Sequence, residues 1–554
     1  MSSSSIAAIK AAFDVESIRL KEQWVRKIRS TKTLRPAAWV ETIDILLFLR
    51  AHPHSADFAG AAERALAHCA QVIRRSGSRH HPLIASEGLP GAEVSAPFSP
   101  ELLRWLAGHA PQLLAWDHSD ADEATQQEIL LHLLPVAERE YFESSDEPTV
   151  EEWLHTFAGR QGPVAFIARQ ACTQVNDSAL RTWLWGKLGL YTRLRLDRPA
   201  LSRSETRGLH RPLFIHREAL TRKVEPTDII NQPLGQQVSI TAEERTQLIA
   251  VKRYHLASMG RETDPGTYAD PRDVELFDMG RGLHIALYGM DPEHRLPLDA
   301  YIGFMAFKNG LPYAYGGAWL MGAQAKIGIN IFPPFRGGES AWFFAQLMRL
   351  YHHVYGPVVF QAEPYQLGKD NPEGLESGAF WFYYRLGFRP RQPRLARLAL
   401  REAERIRKNP LHRTPLRILE QLVDDEVVLQ LHPTSGTPTR EASRRVSHAI
   451  TRRFRADRSA AHAWVNSTFT STHGFHFEED LTYEECARLN EWLLYFIADP
   501  DPRAWPQDQK QRFTAMAMAK VRGTDSDYAR LLTREMEQMP ASVSWPTPTL
   551  RRTT

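Results

Sequence analysis

The run from Tyr301 to Trp319 constrains this chain more than any other. Tyr-Ile-Gly-Phe-Met-Ala-Phe (301–307) leads into Lys308-Asn309-Gly310-Leu311. The chain leaves as Tyr-Ala-Tyr-Gly-Gly-Ala-Trp (313–319). Two aromatic-rich runs around Asn-Gly predict a β-hairpin, because Asn and Gly both accept the positive φ angles of a type I′ turn. A hairpin this apolar needs further strands and a helix to cover it.

The neighbouring residues supply them. A third strand is predicted at 326–332, and Pro333-Pro334 stops it. Gly337-Gly338 then turns the chain into a helix at 339–355, with Phe343, Phe344, Leu347, Leu350, Tyr351 and Val354 at helical spacing. Gly356-Pro357 ends it. A short strand at 358–363, a short aromatic helix at 378–386, an Arg-rich helix at 394–408 and a strand at 427–431 follow. Upstream, Thr241-Ala242-Glu243-Glu244 reads as a capping box opening a helix at 241–254, and 282–290 reads as a strand.

The rest of the 554 residues divides by pattern. Residues 1–76 read as a helical region, 77–100 as a Gly/Pro/Ser-rich linker and 101–195 as a second helical region. Residues 196–237 form a basic connector carrying Arg198, Arg203, Arg207, Arg211, Arg217, Arg222 and Lys223. The sheet-bearing domain is expected at 238–432, a helical C-terminal region at 433–545 and a disordered tail at 546–554. The expected class is α+β: a central mixed sheet flanked by N-terminal and C-terminal all-helical regions. A net charge of +3 on this length selects no class of partner. No run of about 18 apolar residues is present, so no membrane span is expected. Cys69, Cys172 and Cys486 are far apart and odd in number, which fits a reducing, cytoplasmic setting, with each thiol read as a small buried hydrophobe.

The order of strand, glycine turn and helix has a chemical use. A helix begins with unpaired N–H groups and partial positive charge, and glycines before it let backbone amides approach a phosphate. The run Phe335-Arg336-Gly337-Gly338-Glu339-Ser340-Ala341 resembles the coenzyme-A pyrophosphate loop of the GNAT-type N-acyltransferases, Gln/Arg-x-x-Gly-x-Gly/Ala. Residues 379–388, Ala-Phe-Trp-Phe-Tyr-Tyr-Arg-Leu-Gly-Phe, resemble that family's closing signature, Ala-x-x-x-Tyr-x-x-x-Gly-Phe. The resemblance covers about 238–390 and is densest over 299–390.

It implies a GNAT-like fold and an acetyl-CoA or longer acyl-CoA donor, with no metal. It implies that Arg336, Gly337, Gly338, Ser340 and Ala341 cradle the donor's pyrophosphate, and that a backbone N–H near Ile329 to Ile331 holds the acyl carbonyl. Tyr383 would protonate the departing thiolate, since a phenol's ordinary pKa is near that of a thiol. Glu363, at a strand end, is the acidic residue expected to reach the cleft as a base. The acceptor would be an amine on a small molecule or a protein. Two positions depart from the pattern: Glu339 replaces a glycine of the loop, and Glu376 stands where the family often has Asn. An inward-facing carboxylate at 339 would repel a pyrophosphate.

Two other readings stay open. The Arg-rich run from Arg389 to Lys408 suits a tRNA backbone, so an aminoacyl-tRNA could be the donor on the same fold. A non-catalytic interaction protein follows if Glu339 blocks the donor. Tyr301, Tyr313, Tyr315 and Trp319 are candidates for an acceptor cleft or for the core. His352-His353 point to different helix faces and are not expected to share a metal.

Overall fold

A computed structural model describes residues 3–76, 81–144, 149–432, 439–498 and 501–536. The described strands form two sheets. A small antiparallel one joins β1 (Glu93–Ala96), β2 (Leu114–Ser119) and β3 (Leu190–Arg195) in the order β1-β3-β2. The large one contains β4 (Gln236–Val238), β5 (Ala269–Asp278), β6 (Leu283–Met290), β7 (Ala300–Lys308), β8 (Leu311–Met321), β9 (Gln324–Ile331), β10 (Val359–Ala362), β11 (Arg389–Pro390) and β12 (Val427–Gln430). Its order is β11-β12-β10-β9-β8-β7-β6-β5-β4. The helices that matter below are α1 (Pro36–Ala51), α2 (Ala242–Ala257), α3 (Ser340–Tyr355), α4 (Ala379–Arg385), α5 (Pro393–Lys408), α6 (Gln507–Val521) and α7 (Asp525–Met536). The chain is thus α+β, with helical regions around its sheets. Among the described residues no helix is long and apolar enough to cross a membrane.

Strand β7 is buried along its whole length, which explains its apolar run up to Lys308. The α3 side chains Phe343, Phe344, Leu347, Leu350 and Tyr351 all lie in the core. The Tyr351 hydroxyl donates to the Ile302 carbonyl at 2.8 Å, so even the polar tip of this face is satisfied by β7. Helix α7 packs on β6, β7 and β8, which binds the C-terminal region to the same sheet.

The predicted hairpin is β7–β8. Lys308 pairs with Leu311, and Asn309 and Gly310 adopt φ 48° and 80°. The turn is buried and does more than reverse the chain. Its Asn309 side chain donates to the Ala51 carbonyl at 2.9 Å and the Phe214 carbonyl at 3.0 Å, and accepts from the Phe214 N–H at 2.8 Å. One amide thereby ties the sheet to the end of α1 and to the connector.

Three of the connector's arginines are spent in ion pairs within the protein. Arg203 pairs with Asp44 and Glu87, Arg207 with Glu63, and Arg211 with Glu244. Arg203 and Arg207 reach the N-terminal helices and Arg211 reaches α2, while Arg217, Arg222 and Lys223 are exposed.

Three expectations need correction. The N-terminal region is not all-helical, because β1, β2 and β3 form a sheet within it. The stretch read as a linker carries β1 and buries Ile84, Leu89, Val94 and Phe98. Its Gly and Pro residues mark turns between packed segments, and a four-residue strand is too short to show a period of two. Cys486 is exposed, whereas Cys69 is buried and its thiol is pushed up to about 12. The tail 546–554 and the boundary at 433–438 lie outside the described residues.

The Asn309 turn generates a prediction. Asn309→Ala removes a residue that tolerates φ 48° and takes a partner from the Ala51 carbonyl and from the Phe214 carbonyl and N–H. It should cost about 2–4 kcal/mol, read as a lower urea midpoint. An unchanged midpoint would show that the turn does not tie these regions together.

Candidate functional site

The site arises where two strands stop pairing. β9 and β10 are the one parallel pair among the described strands, joined only at Gln324–Val359, Ala325–Phe360 and Lys326–Gln361. β9 then runs on to Ile331 paired with β8 alone, while β10 ends at Ala362. Glu363 and Pro364 divert the chain into a short helix, Pro364–Leu367. A cleft of about 230 Å³ lies beside the free edge of β9. Ile329, Asn330 and Ile331 form one wall. Arg336 and Ser340, at the start of α3, form one end. Ala379, Phe382 and Tyr383 come from α4, and Gln366, Asn371, Glu373, Gly374 and Ser377 cover the opening.

The glycine turn sits as its sequence requires. Gly337 has φ 74°, and a Cβ on Gly338 would lie 3.2 Å from the Phe335 carbonyl and the Phe48 ring. No side chain caps the N-terminus of α3, so its first amides carry their partial positive charge without a side-chain acceptor. The Arg336 Nε donates to the Ile331 carbonyl at 3.0 Å, and its guanidinium pairs with Glu373. Gly337, Gly338, Ser340 and Ala341 thus form one continuous turn into α3, and Arg336 and Ser340 reach the cleft.

Tyr383 is buried beside the cleft. Its ring meets Phe344 edge-on at 5.5 Å and Phe388 at 5.4 Å. Burial pushes its phenol well above the ordinary tyrosine range, so the group keeps its proton. Glu363 is placed differently. It pairs with Lys326 at 2.7 Å, at the end where β9 and β10 still pair, and does not line the cleft. The two groups expected to act as acid and base are therefore not brought together. Tyr301, Tyr313 and Tyr315 are buried in the core, with Tyr301 stacked on Trp319 at 4.2 Å. His352 meets the Pro357 carbonyl and His353 the Ile230 carbonyl, on different sides of α3.

Glu339 does not face the cleft. Its side chain is 1% exposed and turned inward, where it accepts from Lys308 at 2.7 Å, Arg281 at 2.8 Å and the Thr221 N–H at 3.2 Å. Burial alone would raise its pKa, but Lys308, with His52 and Arg281, holds it at about 2. Beside it lie two buried imidazoles. His52 Nδ1 donates to the Phe48 carbonyl at 3.0 Å, and burial pushes the ring well below its usual range. Burial likewise pushes His216 down to about 3.

His52, His216 and Glu339 have ligand atoms within 4.8 Å of one another, a spacing that invites a metal reading. The charges argue against it. Both Glu339 oxygens already serve cations, and a divalent ion would sit against the Lys308 ammonium in a buried site. We read this as a buried ion-pair cluster.

Sequence reasoning missed this cluster and the role of Gln366, whose Oε1 accepts from the Ile329 N–H at 3.3 Å. Only the unusual length of the 365–378 loop signalled the latter. Arg281, His52 and His216 gave no signal at all, being distant in sequence from Glu339.

The cluster predicts a pH dependence. The folded-state value of Glu339 lies below the ordinary 4.5, so its stabilisation is complete above pH 4.5 and drains away as pH falls towards 2. Glu339→Gln leaves Lys308 buried without its counter-ion and should cost about 3–5 kcal/mol near neutrality. It should also flatten the stability profile in that acid window, as read by denaturation at stepped pH. A wild-type acid slope in the variant would assign the effect elsewhere.

Compared with protein-family models, with curated proteins and with solved structures, the chain matches none.

Proposed function

We propose that residues 238–432 form a GNAT-type N-acyltransferase unit, which moves an acyl group from an acyl-CoA thioester to a primary amine. The observation that carries this reading is the cleft between β9 and β10, with the α3 N-terminus at one end and Tyr383 beside it. Parallel strands that part company leave backbone N–H groups on an open edge, beside a helix start that favours phosphate. Fold and chemistry resemble each other at the same few residues, which is why the site supports a function and not only an architecture.

In this reading Arg336, the Gly337-Gly338 turn and the amides of Ser340 and Ala341 bind the donor's pyrophosphate. The open edge at Ile329 and Ile331 orients the acyl carbonyl and stabilises the charge that grows on its oxygen. The amine nitrogen attacks the carbonyl carbon, the carbon–sulfur bond breaks, and the leaving sulfur accepts a hydrogen bond from the Tyr383 hydroxyl, which burial keeps protonated, while the sulfur's own proton comes from solvent. The amine's own proton leaves to solvent, because Glu363 is held by Lys326. Most of the rate gain would come from alignment of donor and amine. The inward turn of Glu339 removes the repulsion that argued for a non-catalytic protein.

One observation favours aminoacyl-tRNA as an alternative donor. On α5, Arg394, Arg397, Arg401, Arg405 and Lys408 follow three- and four-residue spacing and are exposed, while Leu395, Ala399 and Glu402 are buried. That is a cationic stripe, although Arg405 is paired with Glu402. This alternative expects tRNA binding that weakens steeply with salt, and no heat with coenzyme A.

Calorimetric titration with acetyl-CoA and a long-chain acyl-CoA tests the main reading. Both should bind, and Arg336→Ala should weaken each about tenfold through the loss of a charge-assisted contact. Tyr383→Phe should leave donor affinity unchanged and lower turnover about 10²-fold. No heat with either donor sinks the reading.

A further inference from the structure

Among the residues of segment 364–377 that line the cleft, Gln366 and Glu373 make polar contacts across it, and each contact has the chemistry of one end of an acyl donor. At one point the Gln366 amide oxygen accepts from the Ile329 N–H at 3.3 Å. That N–H lies on the part of β9 that β10 no longer pairs. At the other point the Glu373 carboxylate pairs with Arg336, which also holds the Ile331 carbonyl. A neutral carbonyl oxygen thus sits on the strand-edge donor, and an anionic oxygen sits on the cation by the helix start.

These contacts belong to a built element. The segment comprises two short helices, Pro364–Leu367 and Pro372–Glu376. Asn371 caps the second, accepting from the Gly374 N–H at 3.2 Å, and its amide donates back to the Tyr365 carbonyl at 3.1 Å. Leu367 is fully buried and anchors the first helix. Gly328 leaves room for the Gln366 side chain, since a Cβ there would lie 3.2 Å from its Nε2.

We infer that segment 364–377 is an internal competitor for the donor, with Gln366 standing in for the acyl carbonyl and Glu373 for a phosphate. The inference rests on the acyl-donor reading above and adds a regulation of that site. A donor must displace both contacts to bind: the carbonyl displaces Gln366 from Ile329, and the pyrophosphate displaces Glu373 from Arg336. The two ends then have separable consequences. Gln366 competes only with a donor that carries a carbonyl, whereas Glu373 competes with any coenzyme A species.

The test uses the full chain and two ligands, acetyl-CoA and free coenzyme A, titrated calorimetrically. Gln366→Met keeps the side chain's length and removes its acceptor, and Gln366→Ala removes its bulk as well. Gln366→Met should tighten acetyl-CoA about fivefold and change free coenzyme A less than about twofold. Gln366→Ala should tighten acetyl-CoA by at least as much. Glu373→Ala should tighten both ligands about threefold, because an exposed pair is a weak competitor. Hydrogen exchange in the peptide spanning β9 should quicken in Gln366→Met without any ligand present. Unchanged exchange there overturns the Gln366 contact independently of what the donor is. Wild-type binding with unchanged or weaker affinity in the variants overturns the competition and leaves the donor reading standing. No binding by wild type or any variant overturns the donor reading and the competition with it.

Discussion

A buried carboxylate holds the start of α3 against the sheet. Glu339 takes its charge partners from two different strand connections: Lys308 ends β7, and Arg281 lies between β5 and β6. Burying the Glu339–Lys308 pair is costly, and the attraction offsets that cost only where geometry is close and remaining polar atoms are satisfied. Here the Thr221 N–H supplies a further contact from the connector. The residue after Lys308 is Asn309, whose amide reaches the end of α1. Two adjacent residues of one hairpin therefore fix the helix that bounds the cleft and the helical region behind it.

The cleft follows from a second constraint, the parallel geometry of β9 and β10. A parallel pair is joined through a long crossover, here α3, and not through a tight turn. Its two strands can consequently part while the crossover still packs on the sheet. Pro364, directly after Glu363 at the end of β10, removes a donor at the point of departure. The backbone groups of Ile329 and Ile331 must then find other partners, and Gln366 and Arg336 provide them. Such an edge is a poor place to hide polar groups and a good place to bind a ligand that brings its own acceptors.

How far this was legible in the sequence depended on how local each determinant is. The Asn309-Gly310 turn, the Thr241–Glu244 capping box and the Gly356 helix end are encoded by adjacent residues, and the structure has each of them. Period and turn chemistry also set out the strands from β6 to β10. The three-stranded sheet was illegible because its strands are short and separated by helices in sequence, so their pairing is a tertiary fact. Glu363 misled for a related reason. A strand end reads as a cleft position only if its neighbour has already diverged, and sequence does not say on which side of the divergence a residue falls. The direction of the Glu339 side chain was equally hidden, since its partners lie 31 and 58 residues away.

That last point changes what a glutamate at 339 means. A short polar residue at a helix N-cap normally turns back and satisfies the first amides of the helix. Glu339 occupies the N-cap of α3 and does not do this, because its carboxylate is committed to Lys308 and Arg281. The amides of the first turn are left for whatever lies in the cleft. The carboxylate also sits behind the helix start, neutralised by its two cations, so its field at the cleft is small. The residue that departs most from a phosphate-binding loop is therefore one that keeps the loop's amides uncapped. A glycine in its place would free the same amides but would lose the anchor that aims them.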